Sequence, residues 1–285
     1  MNAETVTFEL GGVWRNGRGS APCPVCQPER RKDQTALSIS ESGGKLLLYC
    51  FKGGCGFKDI ADAANVPASS ARIDPQAQRE ADKNRKAYEE NKLKQARGIW
   101  EASHPIERTK AEAYLRGRGI TCPLPPSLRF APDIFHGPST SWCMALVAQV
   151  TTGGIHRTYF DKKGVRVSKS PKLMLGPCSG GAVVLSEAVG PLVVCEGIET
   201  GLSLLSGMLS GPATVWATLS TSGMKALRLP KKPGALIIAT DGDPAGREAG
   251  DKLASRAHAL GWTVSMMPAP DGQDWNDALI EGAVK

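Results

Sequence analysis

The chain opens with short apolar runs set among glycines and polar residues, and the run Lys45-Leu46-Leu47-Leu48-Tyr49 predicts a strand. This pattern, that of a small β domain, holds over residues 1–68. From Ala71 to Ser103 Gln, Lys, Glu, Asp, Arg and Ala dominate, with no glycine before Gly98, which predicts an exposed charged helix serving as a linker over 69–103. From Pro105 onward strands and helices mix. The apolar runs Leu192–Cys195, Ala213–Ala217 and Leu236–Ala239 have the length and β-branched content of buried parallel strands, and Thr263–Met267 adds another. Helical stretches at Glu199–Met208 and Ala245–Leu260 fall between them, so strand and helix alternate as in a doubly wound sheet. The expected fold class is α/β, with a central parallel sheet over 186–285 preceded by a basic subdomain at 104–185.

Composition narrows the function classes. A chain of 285 residues with 41% hydrophobic content supports a real core and excludes disorder throughout. The opening MNAETVTFEL lacks a charged-then-apolar leader and no apolar stretch reaches membrane-span length, so the expectation is a soluble, cytoplasmic protein with no membrane partner. The net charge of +7 is unevenly spread: residues 121–185 hold 7 basic and 2 acidic side chains, whereas 186–285 hold 8 and 11. A basic middle beside an acidic tail suits a polyanion held against a metal site, because phosphates need cations and metals need carboxylates.

Eight cysteines without a secretion signal point to metal binding where they cluster. Cys23-Pro24-Val25-Cys26 and Cys50-Phe51-Lys52-Gly53-Gly54-Cys55 form two knuckles 23 residues apart, a zinc-ribbon spacing in which each tight turn presents two sulfurs. Gly53 and Gly54 supply backbone freedom in the longer knuckle. With four protein ligands the zinc is structural. Reduced core thiols are the competing reading, and they belong on apolar strands, as Cys195 does, rather than beside Pro and Gly. The remaining cysteines and the histidines His104, His136, His156 and His258 show no ligand spacing.

Glu196 directly follows the strand 192–195, and Asp241-Gly242-Asp243 directly follows the run 236–240. Both therefore sit at strand C-termini, the binding edge of an open parallel sheet, where carboxylates from neighbouring strands converge on one cation. Magnesium or manganese, with oxygen ligands and retained waters for substrate phosphates, is the expected occupant. Asp274, in Gly272-Gln273-Asp274-Trp275-Asn276-Asp277, is read equally as a further metal carboxylate and as a helix N-cap. Between His156 and Gly176, Arg157, Lys162, Lys163, Arg166, Lys169 and Lys172 face a single acid, Asp161, with Tyr159 and Phe160 interleaved. Such a segment fits a nucleic-acid backbone or a nucleoside triphosphate, and equally a solvated basic hairpin.

A cysteine-rich ribbon, a basic subdomain, then Glu-Gly-Ile-Glu-Thr at 196–200 and Thr-Asp-Gly-Asp-Pro-Ala-Gly-Arg at 240–247 resemble the Toprim-domain DNA primases of bacteria, phages and plasmids. Leu10–Trp14, Cys50–Cys55, Ala113–Ile120 and Gly272–Asp277 resemble their phage and plasmid members in particular. The resemblance implies catalytic metal on Glu196, Asp241 and Asp243, and Arg247 and Lys252 near bound phosphate. It departs from the family at Thr200 and Asn276, where bacterial primases usually carry Asp. The implied activity is synthesis of short RNA primers on single-stranded DNA from ribonucleoside triphosphates during phage or plasmid replication, in a bacterial or phage-infected cell. No Gly-x4-Gly-Lys-[Ser/Thr] phosphate loop is present, so any helicase is a separate chain. Two rivals share the same residues: a Toprim nuclease, which directs water at a phosphodiester, and a zinc-ribbon DNA-binding accessory protein with a decayed site.

Overall fold

The computed structural model describes residues 2–31, 33–42, 45–66 and 75–283, which divide into two compact units, 1–87 and 88–285. In the first unit, helix α1 (Ala3–Glu9) precedes strands β1 (Val13–Arg15), β2 (Arg18–Ala21), β3 (Leu37–Ser42) and β4 (Lys45–Cys50), an antiparallel sheet in that order, followed by helix α2 (Phe57–Ala63). Strand β4 is the run expected from sequence, with Leu46, Leu48 and Cys50 inward and Leu47 and Tyr49 outward. The core is small: Val6, Leu10, Leu37, Ile39 and Ile60 are its largest fully buried or nearly buried members. Domains of this size seldom hold together on hydrophobic burial alone.

Helix α3 (Pro75–Ala102) covers most of the stretch read as a charged linker; residues 67–74 lie outside the described residues. Tyr88 to Asn91 are exposed, as a solvated helix requires. Its last turns differ from that expectation: Ala96 is fully buried, and Ile99 and Trp100 pack with it against a five-stranded sheet. Arg129 fixes this end, stacking its guanidinium over Trp100 at 4.5 Å and donating to the Trp100 carbonyl at 3.0 Å.

That sheet comprises β5 (His104–Pro105), β6 (Leu128–His136), β7 (Ser141–Gln149), β8 (Ile155–Phe160) and β9 (Lys172–Leu175), all antiparallel, with helix α4 (Lys110–Gly117) before β6. Alternation along β8 sends Ile155 and Tyr159 toward α3 and Phe160 into the opposite core. That opposite core is shared with a second sheet of β10 (Val183–Ser186), β11 (Leu192–Cys195), β12 (Thr214–Ala217), β13 (Ala235–Thr240) and β14 (Thr263–Pro268).

The second sheet has the order β10-β12-β11-β13-β14, parallel except for β10. Helices α5 (Ile198–Ser203) and α8 (Trp275–Ala283) pack on one face, α6 (Thr221–Ala226) and α7 (Pro244–Ala259) on the other. The α/β fold with a parallel-rich sheet, expected from the run spacing, is therefore present. Strand β11 is buried along its whole length, while β14, at the edge, is mostly exposed. The helical stretch expected over 199–208 is α-helical to Ser203 and continues as a π-turn over Leu204–Met208, within which Ser206 and Gly207, at φ +126°, leave helical geometry. Among the described residues, no helix is long and apolar enough to cross a membrane.

Candidate metal centres and the Toprim edge

In the first unit the sulfurs of Cys23, Cys26, Cys50 and Cys55 all lie within 4.8 Å of one another, and those of Cys26 and Cys50 are 3.5 Å apart. Four thiolates at ~2.3 Å from one tetrahedral zinc stand about 3.8 Å apart, so the donor set fits. The first knuckle follows β2 and the second follows β4, so the sheet brings both turns to one end. The two glycines have different tasks. Gly54 adopts φ +58°, which favours glycine, whereas a Cβ on Gly53 would press on Cys55 Sγ at 3.0 Å and Cys26 Sγ at 3.2 Å. Burial raises the Cys50 thiol, but backbone N–H groups of Gly53, Cys55 and Lys52 and the Cys26 thiol outweigh it and bring Cys50 to about 6, whereas burial and the neighbouring thiols push Cys26 up to about 12, so without metal the set holds its protons unevenly.

In the second unit the chain leaves β11 toward β12 on one side and later returns to β13 on the other. The crevice at such a switch point is where an open parallel sheet receives ligands. Glu196 leaves the end of β11 and Asp241 the end of β13, neighbouring strands in register at Cys195 and Ala239. Asp274 arrives through a loop docked on the Asp-Gly-Asp turn, with Gly242 N donating to Gln273 O at 2.8 Å and Gly272 N to Gly242 O at 3.1 Å. Only glycine fits at 242, since a Cβ would overlap the Pro270 carbonyl oxygen.

Burial, then the charges of Glu196, Asp274 and Asp243, push Asp241 up to about 7, against a hydroxyl interaction from Thr200. Burial and Asp243 also raise Glu196, with the Thr221 backbone N–H and the Lys172 charge pulling the other way. Asp241 Oδ1 is buried without a hydrogen-bond partner. An orphaned carboxylate oxygen beside three other acids has the all-oxygen chemistry that suits magnesium or manganese, although among the described residues only the four cysteines bring their ligand atoms within 4.8 Å of one another.

Two of the acids also hold local structure. Asp243 caps α7 by accepting from Gly246 N at 2.6 Å, and Asp274 Oδ1 accepts from the N–H groups of Asn276 and Asp277, both at 2.8 Å. Both readings of Asp274 are thus compatible: it caps α8, and its charge reaches Asp241. Asn276 is fully buried away from the edge, and its amide donates to Arg118 O at 2.8 Å and Ser203 Oγ at 2.9 Å. Thr200 and Asn276, where the sequence departs from bacterial primases, are therefore an Asp241 neighbour and a packing strut.

The chain matches two family models: residues 90–185 match a domain of unknown function (DUF7146), and residues 191–283 match the Toprim domain. The carboxylate edge belongs to a Toprim domain. No curated protein matches the chain. Solved structures similar to it include the Aquifex aeolicus primase zinc-binding and RNA polymerase domains, at 15% identity over 98% of this chain and 79% of that one, TM-score 0.44. A DNA primase domain from Pseudomonas aeruginosa shows 17% identity over 67% and 74%, TM-score 0.40. The primase fragment of the bacteriophage T7 primase-helicase protein shows 14% identity over 95% and 96%, TM-score 0.36.

The basic stretch is a hairpin, β8 and β9 joined by residues 161–171, and the Toprim edge receives only part of it. Lys172, on the face shared with the Toprim domain, forms an ion pair with Glu199 at 2.9 Å. Arg166 lies near enough to act on Tyr114 of α4, whose hydroxyl donates to Glu199. Lys169 and Arg166 border an open hollow of about 480 Å³ with Lys162 and Trp142, and Lys163 is exposed in the loop. Arg157 stands on the other face of the sheet, over the Tyr159 ring at 5.5 Å and lining a hollow against Lys92 and Gln95 of α3. Arg247, in the first turn of α7, contacts Gly242 O at 3.5 Å and pairs with Asp271. Sequence spacing had no signal for Glu199 or Tyr114, which meet through tertiary packing, nor for His156, which is buried with Nδ1 unpartnered.

Proposed function

We propose that the protein is a primase that joins ribonucleotides on a single-stranded DNA template, acting in a bacterial or phage-infected cell. The observation that carries this reading is the convergence of Glu196, Asp241, Asp243 and Asp274 at the switch point of a Toprim domain, with Lys172 facing them. Glu196, Asp241 and Asp243 would hold the catalytic cation, with Asp274 behind Asp241. Bound there, a divalent metal lowers the pKa of an attacking hydroxyl and neutralises phosphate. The protein's own residues do the rest. Lys172 and Arg166 present positive charge toward the nucleotide, and Lys163, Lys169 and Arg247 extend it toward the template. Arg157 is assigned the task of fixing α3 to its sheet. The cysteine ribbon, loaded with one structural zinc, engages the template, and a helicase acts as a separate partner.

Incubating the purified protein with single-stranded templates, ribonucleoside triphosphates and Mg²⁺ or Mn²⁺ tests the proposal. Short, alkali-labile products are expected, and Asp241→Ala should cut their rate on the order of a thousandfold, the several kcal/mol that a metal contributes. Equal activity in wild type and Asp241→Ala overturns the reading. Nicking of DNA without nucleotides would instead mark a nuclease, and template binding without synthesis an accessory protein.

A further inference from the structure

Glu199 lies three residues beyond Glu196, yet its surroundings are opposite in kind. It is 6% exposed, and both its oxygens are engaged: Oε1 accepts from the Tyr114 hydroxyl at 3.1 Å and Oε2 from Lys172 Nζ at 2.9 Å. Each oxygen already has a protein donor. Burial alone would raise it, but Lys172 more than compensates and holds it down at about 2. Behind the pair lies buried His156, kept uncharged by burial and by Lys172, down to about 4.

The elements involved come from both halves of the second unit. Tyr114 is on α4 and Lys172 on β9, in or beside the antiparallel sheet, while Glu199 is on α5 of the Toprim domain. A buried ion pair is a poor source of stability, because desolvation offsets its attraction. Its geometry is more informative. Lys172 retains 39% side-chain exposure, and of its three N–H donors only the one to Glu199 is used within the described residues. The ammonium is thereby held on a short leash, its free side open, on a carboxylate in the first turn of α5 only three residues past Glu196. A lysine stem has four rotatable bonds, and an unanchored one disperses its charge over many positions.

We infer that Glu199 is a positioning residue: it holds the Lys172 ammonium at the mouth of the Glu196/Asp241 edge so that the two free N–H donors meet a phosphate oxygen of the substrate. This rests on the phosphate-handling reading of that edge. Glu199 touches neither substrate nor metal and acts only through Lys172.

Binding of inorganic tripolyphosphate with Mg²⁺, measured by calorimetry on the full chain, tests the inference without requiring turnover. Lys172→Ala and Glu199→Gln are each expected to weaken binding about tenfold, the scale of one charge-assisted contact. The double variant should be no weaker than either alone, because one effect works through the other. Tyr114→Phe removes a hydroxyl but not the ion pair and should bind within about twofold of wild type. Glu199→Asp, which keeps the charge but withdraws it by one methylene, serves if Glu199→Gln does not fold, and it too should weaken binding. Wild-type affinity in a folded Glu199 variant, or additive losses in the double variant, overturns the inference, as does a wild type that fails to bind tripolyphosphate. Primer synthesis is scored separately: its absence alongside Glu199-dependent tripolyphosphate binding defeats the primase reading and leaves the positioning role standing.

Discussion

The cysteine cluster and the carboxylate edge of the Toprim domain differ in what surrounds their polar atoms. In the ribbon four sulfurs lie within 4.8 Å of one another, with the Gly53 N–H donating to Cys50 Sγ, so a zinc ion there would have four protein ligands and no open position and would serve the fold. At the Toprim edge one Asp241 oxygen is left without a partner and the neighbouring acids raise Asp241, so a cation there would have positions to spare for phosphate and water. A closed set built on tight turns stabilises; an open set at the ends of parallel strands is free to react.

The largest expected effect breaks the closed site. Cys50→Ser should abolish stoichiometric zinc and the cooperative unfolding of residues 1–66, since structural zinc supplies about 10–16 kcal/mol in such modules. The second unit should keep its own transition. Metal analysis with calorimetric melting checks both, and a variant that retains the first transition would show that the ribbon's hydrophobic core suffices.

A pH series sharpens the contrast at the open site. Asp241 is raised to about 7 from an ordinary 3.8, so the folded state holds a proton that the unfolded chain has released. That contribution to stability is fully present below 3.8 and is lost as pH rises through 7. Metal-free protein should therefore melt at a lower temperature at pH 8 than at pH 5.5. Mg²⁺ should narrow the gap, and Asp241→Asn should remove most of it. Glu199 has the opposite sign: lowered to about 2 from 4.5, it contributes above 4.5 and is lost as pH falls through 2, outside that window. A gap that persists in Asp241→Asn would place the titration elsewhere.

The smallest expected change concerns Arg157. Because it stacks on Tyr159 on the α3 side of the sheet, Arg157→Ala should cost about 1 kcal/mol of stability and leave tripolyphosphate affinity within about twofold. A loss as large as that of Lys172→Ala would place both faces of the hairpin in the phosphate site.

How much of this was legible beforehand follows from the range of each interaction. Strands β11 and β13 announce themselves as continuous apolar runs, and an acid directly after such a run must emerge at the strand's C-terminal end. The cysteine knuckles are likewise local, each a single turn. The fate of the basic stretch was not legible, because alternation along β8 and β9 places Arg157 and Lys172 on opposite faces only once it is known which face meets the Toprim domain. The charged helix hid its packed end for a similar reason: Ala96, Ile99 and Trp100 carry a weak apolar signal that becomes a contact only against the sheet.

By itself the sequence determined the cysteine knuckles, the acids that follow the apolar runs, and the alternating strands and helices that carry them, since those depend on neighbours a few residues apart. Only the tertiary structure decided which charges meet. Lys172 finds Glu199 27 residues away and Tyr114 finds it 85 residues away, while Asp274 is brought to Asp241 by a loop that needs Gly242 beneath it. Such pairings depend on which sheet faces pack together, and the chain's local pattern is the same whichever charge lies across the interface.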